Sequence, residues 1–89
     1  LSLYAIGNGF GGSSDLEVST EEQEIIPSGK LCYKLKFYNQ DDCHIVINGI
    51  YTIFLGAFQG FETNEVDTLI RSFVITEAGI NINYVYYIK

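Results

Sequence analysis

Asn48-Gly49 stands between two runs of β-branched and aromatic residues, Cys43 to Ile47 and Ile50 to Leu55. A two-residue hairpin turn of type I′ needs positive φ at both central positions, and asparagine followed by glycine tolerates this well. The chain is therefore predicted to fold back here. The register expected for such a turn sets Val46 opposite Tyr51, Ile45 opposite Thr52, His44 opposite Ile53 and Cys43 opposite Phe54. Both faces of the hairpin are then apolar, so each requires cover from a second sheet, a loop or another copy of the chain.

The rest of the sequence also reads as strands and turns. Lys30 to Tyr38 alternates, with Leu31, Tyr33, Leu35 and Phe37 on one face and Cys32, Lys34, Lys36 and Tyr38 on the other. Leu1 to Ile6 is an apolar run ending in a glycine-rich segment, residues 7–14, expected to be a flexible loop. Leu16 to Ile26 is read as a strand, although Thr20-Glu21-Glu22-Gln23 has the letters of a helix capping box. Pro27-Ser28-Gly29 and Asn39-Gln40-Asp41-Asp42 are turn formers. Gly56 to Thr68 reads as a long loop whose Phe58 and Phe61 fold back to close one end of the core. Ile70 to Thr76 and Ile80 to Ile88 are strands joined by Glu77-Ala78-Gly79; a two-residue turn at Ala78-Gly79, favoured by the aromatic match, aligns Phe73 and Ile75 with Tyr84 and Ile82, and a three-residue turn with a glycine bulge aligns Val74 with Ile82 instead. The expected fold is all-β: a single domain over residues 1–89, a small antiparallel β-sandwich or jelly-roll-like barrel of about six to seven strands.

Size and charge narrow the function. A chain of 89 residues holds one modest core. Its net charge of -6, with only Lys30, Lys34, Lys36, Arg71 and Lys89 basic, argues against nucleic acid and anionic membrane surfaces as partners. The longest apolar run, Ile50 to Phe58, is interrupted by Thr52 and Gly56 and is too short to span a bilayer as a helix. Cys32 and Cys43, eleven residues apart, read first as buried free thiols, while the spacing also leaves open a disulfide between neighbouring strands, which would imply an oxidising compartment.

Several motifs invite chemistry and fail a physical test. Gly7-x-Gly9-x-x-Gly12 has the letters of a dinucleotide fingerprint, but that motif must open a helix, and an acidic, β-branched stretch follows instead. His44 neighbours Asp41, Asp42 and Cys43, yet adjacent strand residues point to opposite faces, and a structural zinc site needs further ligands. Catalysis by Cys32 with His44 would need a third orienting group. Glu62, Glu65, Asp67 and Glu77 could supply a carboxylate pair for glycoside hydrolysis, but so small a β domain offers little cleft. The expectation is no enzyme, no cofactor and no metal.

Three stretches carry a resemblance: Asp42-Cys43-His44-Ile45-Val46-Ile47-Asn48-Gly49, Phe58-Gln59-Gly60-Phe61-Glu62 and Ser72-Phe73-Val74-Ile75-Thr76-Glu77-Ala78-Gly79-Ile80. Together they resemble small β-rich structural proteins of tailed bacteriophages, the capsid decoration, head-fibre and tail-associated kinds, over the C-terminal half of the chain. The resemblance implies a virion component, assembled in the bacterial host cytoplasm and held by contacts with its own copies and other virion subunits. Phe10, Tyr51, Phe58, Phe61, Tyr84, Tyr86 and Tyr87 are the candidate assembly or binding surface. A second reading takes Tyr38, Tyr51, Tyr84, Tyr86 and Tyr87, with Asn81 and Asn83, as a carbohydrate platform, because tyrosine offers a flat apolar face and a polar tip.

Overall fold

The computed structural model describes residues 9–64 and 68–89. The expected first strand, Leu1 to Ile6, lies outside the described residues, as do Glu65 and Asp67. The elements are β1 (Gly9–Gly12), β2 (Glu17–Val18), β3 (Gln23–Glu24), β4 (Cys32–Asn39), β5 (Cys43–Ile47), β6 (Tyr51–Leu55), β7 (Phe61–Asn64), β8 (Phe73–Ile75) and β9 (Asn81–Ile88).

Two antiparallel sheets share these strands. Sheet A runs β1-β9-β4-β7, with β2 continuing the β1 edge along β9; sheet B runs β3-β8-β5-β6. With β1 and β2 counted as one interrupted edge, the chain passes back and forth between the sheets so that each inserts a late strand between earlier ones. This is the order of a jelly roll, the more specific of the two architectures expected from sequence. The core lies between the sheets. Leu35, Phe37 and Ile82 project from sheet A onto Ile45, Leu55, Phe73 and Ile75 of sheet B, all at most 4% exposed. Phe73 is central, its ring 5.0 Å from that of Phe37 and 5.8 Å from that of Phe61.

The Asn48-Gly49 turn forms with positive φ at both residues, 55° and 70°, and Ile50 N–H donates to the Ile47 carbonyl at 3.1 Å. The register differs from expectation by one residue. Ile47 pairs with Tyr51, Ile45 with Ile53 and His44 with Phe54, leaving Ile50 in the turn. A one-residue slip exchanges the faces of a strand. The observed register sets Ile53 and Leu55 beside Ile45 and Cys43, where the expected one would have buried the Thr52 hydroxyl. Only the inner face is therefore covered; Phe54 on the outer face is 54% exposed.

The strand alternation of β4 holds from Lys34 onward. A bulge at Tyr33 shifts the pairing with β9 and turns Cys32 into the core, beside Ile70 rather than with the lysines. Two expected features do not occur. Ile75 and Ile82 are not cross-strand partners, because β8 belongs to sheet B and β9 to sheet A. The buried Ser19 draws the connection between them away from a hairpin: its carbonyl accepts from Gly79 N–H, its hydroxyl from Ile80 N–H, and its own N–H donates to the Ile80 carbonyl. Second, Gly56 to Thr68 is not all loop, since β7 pairs with β4.

Residues 9–12 of the glycine-rich segment likewise form β1 rather than loop, pairing with Val85 to Ile88. A Cβ at Gly12 would collide with the Tyr84 carbonyl oxygen, so glycine permits the close approach of β1 to β9. Leu16 to Ile26 is two short strands divided by a turn. There Glu22 has φ 54° and Gln23 Oε1 accepts from Thr20 N–H, half of a capping box without its helix.

Candidate functional site

The aromatic residues singled out from sequence divide among three places. On β9, alternation sends Tyr84 and Tyr86 inward, where they pack against the core beneath the β1–β2 edge. The Tyr84 hydroxyl donates to Glu17 at 3.3 Å, and burial together with that carboxylate pushes its pKa up to about 12. Phe61 packs on Phe73 at one end of the core as expected, whereas Phe58, expected to close the core beside it, is exposed and packs on Tyr38 instead. Tyr84, Tyr86 and Phe61 are half-buried and pack on the core, so they do not share a face with the exposed aromatics, and the tyrosines of the suggested platform lie in different places.

Phe10, Tyr87 and Phe58 lie instead on the outer face of sheet A. Phe10 is paired with Tyr87, their rings 5.7 Å apart, and the Tyr33 ring lies 6.3 Å from Tyr87. Lys34 Nζ stands 5.3 Å from the Tyr87 ring centroid, a cation–π contact. Four residues along β4, about 13 Å at the usual strand rise, Tyr38 forms a second aromatic pair with Phe58 at 6.3 Å. Between the pairs runs an open cleft of about 500 Å³, lined by Lys36, Tyr38, Gln59, Glu62, Asn83 and Val85 among others. Lys36 and Glu62 face each other across it at 3.9 Å, both well exposed. The face thus presents rings at both ends, lysines along β4 between them, and one amide on each flank, Asn83 on the β9 side and Gln59 on the β7 side.

Asn39 fixes the Phe58 end and was missed as anything but a turn former. It is fully buried, donates from Nδ2 to the Asp41 and Gly56 carbonyls, each at 2.9 Å, and accepts Gly60 N–H on Oδ1 at 2.9 Å. Its backbone carbonyl accepts Phe58 N–H at 2.8 Å, holding Phe58 at φ 65° with the residue 65% exposed. The signal was present in the sequence: Asn39 continues the inward parity of Leu35 and Phe37.

Tyr51 belongs to a third place, the β6 side of sheet B. Ile50, Tyr51, Phe54 and Leu69 are exposed there, at 72%, 63%, 54% and 41%.

The catalytic candidates do not converge. Cys43 faces the core while His44 faces out, and the Cys32 thiol is buried and donates to the Lys34 carbonyl. Burial raises the pKa of both thiols, with Glu77 and Asp42 helping to push Cys43 to about 11, so neither is an activated nucleophile. Both cysteines are free. His44 meets Glu77 on the outer side of sheet B, whereas Glu62 faces Lys36 on sheet A, which separates the two described carboxylates suggested for glycoside hydrolysis. No group of three or more His, Cys, Asp or Glu suited to a metal occurs among the described residues. No described helix is long and apolar enough to cross a membrane. Comparison with protein-family models, curated proteins and solved structures found no match.

Proposed function

We propose that this chain is a non-enzymatic structural protein of a tailed-bacteriophage virion, which decorates or stabilises a capsid or tail by docking the outer face of sheet A. The observation that carries this reading is the pair of aromatic clusters on that face, Phe10 with Tyr33 and Tyr87, and Tyr38 with Phe58, on either side of Lys34 and Lys36. Rigid aromatics with cations between them are the composition of a protein contact surface. In a chain of net charge -6 this is where a complementary acidic, apolar subunit surface fits with least repulsion. The jelly roll is a fold of viral capsid proteins and of lectins alike, so it accommodates the reading without choosing it. The bacteriophage resemblance of the C-terminal half supports the same direction.

The test is co-sedimentation of the purified chain with particles of the phage that encodes it, alongside mass spectrometry of purified virions. The expected result is a stoichiometric virion component whose rebinding falls at least tenfold in a Phe10→Ser, Tyr87→Ala double variant. Its absence from virions overturns the proposal.

The cleft beside Tyr38 favours one other reading, a carbohydrate-binding module, since a ring, two amides and a Lys36–Glu62 pair line it. A glycan-array signal lost on Tyr38→Ala would select it over lattice docking.

A further inference from the structure

β6 is an outer edge of sheet B, and it differs from the other edges of the sandwich. The β1–β2 edge is interrupted at residues 13–16, β3 is two residues long, and β7 carries Glu62. β6 is five residues, Tyr-Thr-Ile-Phe-Leu, with neither charge nor proline. Soluble proteins blunt such edges with bulges, charges or proline, because an open ladder is a template for another strand.

The direction of its free groups follows from β5. In an antiparallel ladder each residue turns its N–H and C=O to the same side, and the side alternates. The His44 carbonyl accepts Thr76 N–H at 3.1 Å and its N–H donates to Glu77, so His44 faces β8. Cys43 and Ile45 therefore face β6, and their partners Leu55 and Ile53 turn back to them. Thr52 and Phe54 direct their N–H and C=O outward, where no described residue meets them.

We propose that β6 pairs with β6 of a second copy of this chain, antiparallel about a two-fold axis at Ile53. This rests on the reading of the protein as an assembling subunit and names the contact between its copies. The pattern is self-complementary. Thr52 falls opposite Phe54 of the partner subunit as a hydrogen-bonded pair, and Ile53 meets Ile53 of the partner subunit as the non-bonded pair on the axis. Tyr51 meets Leu55 of the partner subunit on the inner face. A like-charge clash, the obstacle to self-association in a chain of charge -6, is absent from this strand, and the exposed Ile50 and Leu69 extend the apolar area beside it.

The test is sedimentation velocity of the whole chain from micromolar to several hundred micromolar, with circular dichroism as the check on folding. Thr52→Pro removes an outward N–H that the fold does not use, and Phe54→Lys sets like charges near the axis through a side chain already at the surface. The expected result is a wild-type dimer whose dissociation constant rises at least tenfold in each variant. A wild-type monomer throughout the range, or a dimer that a folded Phe54→Lys variant leaves unchanged, overturns the pairing. A monomer that still binds virions removes the β6 contact and leaves the proposed function standing; an edge-dependent dimer absent from virions does the reverse.

Discussion

His44 Nδ1 lies 2.6 Å from Glu77 Oε2, joining β5 to the segment that carries the chain from sheet B into sheet A. The same carboxylate accepts His44 N–H and the Thr76 hydroxyl, each at 2.8 Å. Burial raises the Glu77 pKa, but the His44 backbone and ring and the Thr76 hydroxyl outweigh it and bring the group from 4.5 to about 2. A carboxylate held low stabilises the fold above its ordinary value, and this contribution disappears as pH falls between about 4.5 and about 2. Both side chains are more than a third exposed, so solvent screens the pair and Glu77→Gln is expected to cost about 1 kcal/mol at neutral pH. Urea melts between neutral pH and pH 2 check this: the variant should lose less stability on acidification than the wild type.

Asn39 satisfies both ends of its amide inside the protein, and its removal strands the donors and acceptors around it. Asn39→Ala is expected to destabilise the fold by about 3 kcal/mol. It should also free the Phe58 turn, seen as faster amide exchange at Phe58 and Gly60 than at the core strand β8. A loss under 1 kcal/mol in denaturant melts would show that water replaces the network.

Gly12→Ala puts a methyl group against the backbone of Tyr84, which cannot swing aside. The expected cost is about 2 kcal/mol. Gly29→Ala is a useful contrast: its Cβ meets nothing, and its cost arises from φ 78° alone, about 1 kcal/mol. Thermal melts of the two variants separate contact from conformation.

Cys32 and Cys43 should resist alkylation in the native state. Burial of both and the raised pKa of each slow the reaction on the order of a hundredfold relative to the urea-unfolded chain. Iodoacetamide labelling followed by mass spectrometry reads this directly, and rapid native labelling of Cys43 would contradict its burial.

Local signals located strands better than they located partners. Leu35 and Phe37 advertise an inward face by alternation, and Asn48-Gly49 advertises a reversal; both lie within one or two elements of their cause. The parity of Cys32 was not legible, because a bulge at Tyr33 depends on β9, far along the chain. Ala78-Gly79 looked like a hairpin turn, but the competing bonds come from Ser19, distant in sequence and close in space. The aromatic surface suffered the same limit. The residue types were visible, but whether Tyr86 or Tyr87 faces out is a matter of parity on a strand whose register long-range pairing decides. Phe10 and Tyr87 are each readable as candidate surface residues, but their pairing, and Tyr33 brought beside them by the bulge, depend on contacts distant in sequence.

β9 sits between β4 and the β1–β2 edge, and that placement sets a timetable for the chain as it leaves the ribosome. β1, β2 and β4 are made early and have no bond to one another; they wait for residues 81–88 before sheet A can close. The β5–β6 hairpin can form at once, so sheet B starts from a local nucleus while sheet A is assembled around its last strand. A nascent chain halted before Asn81 therefore holds a complete sheet B and the β4–β7 pair, but leaves the β1–β2 edge unattached and the core without Ile82, Tyr84 and Tyr86.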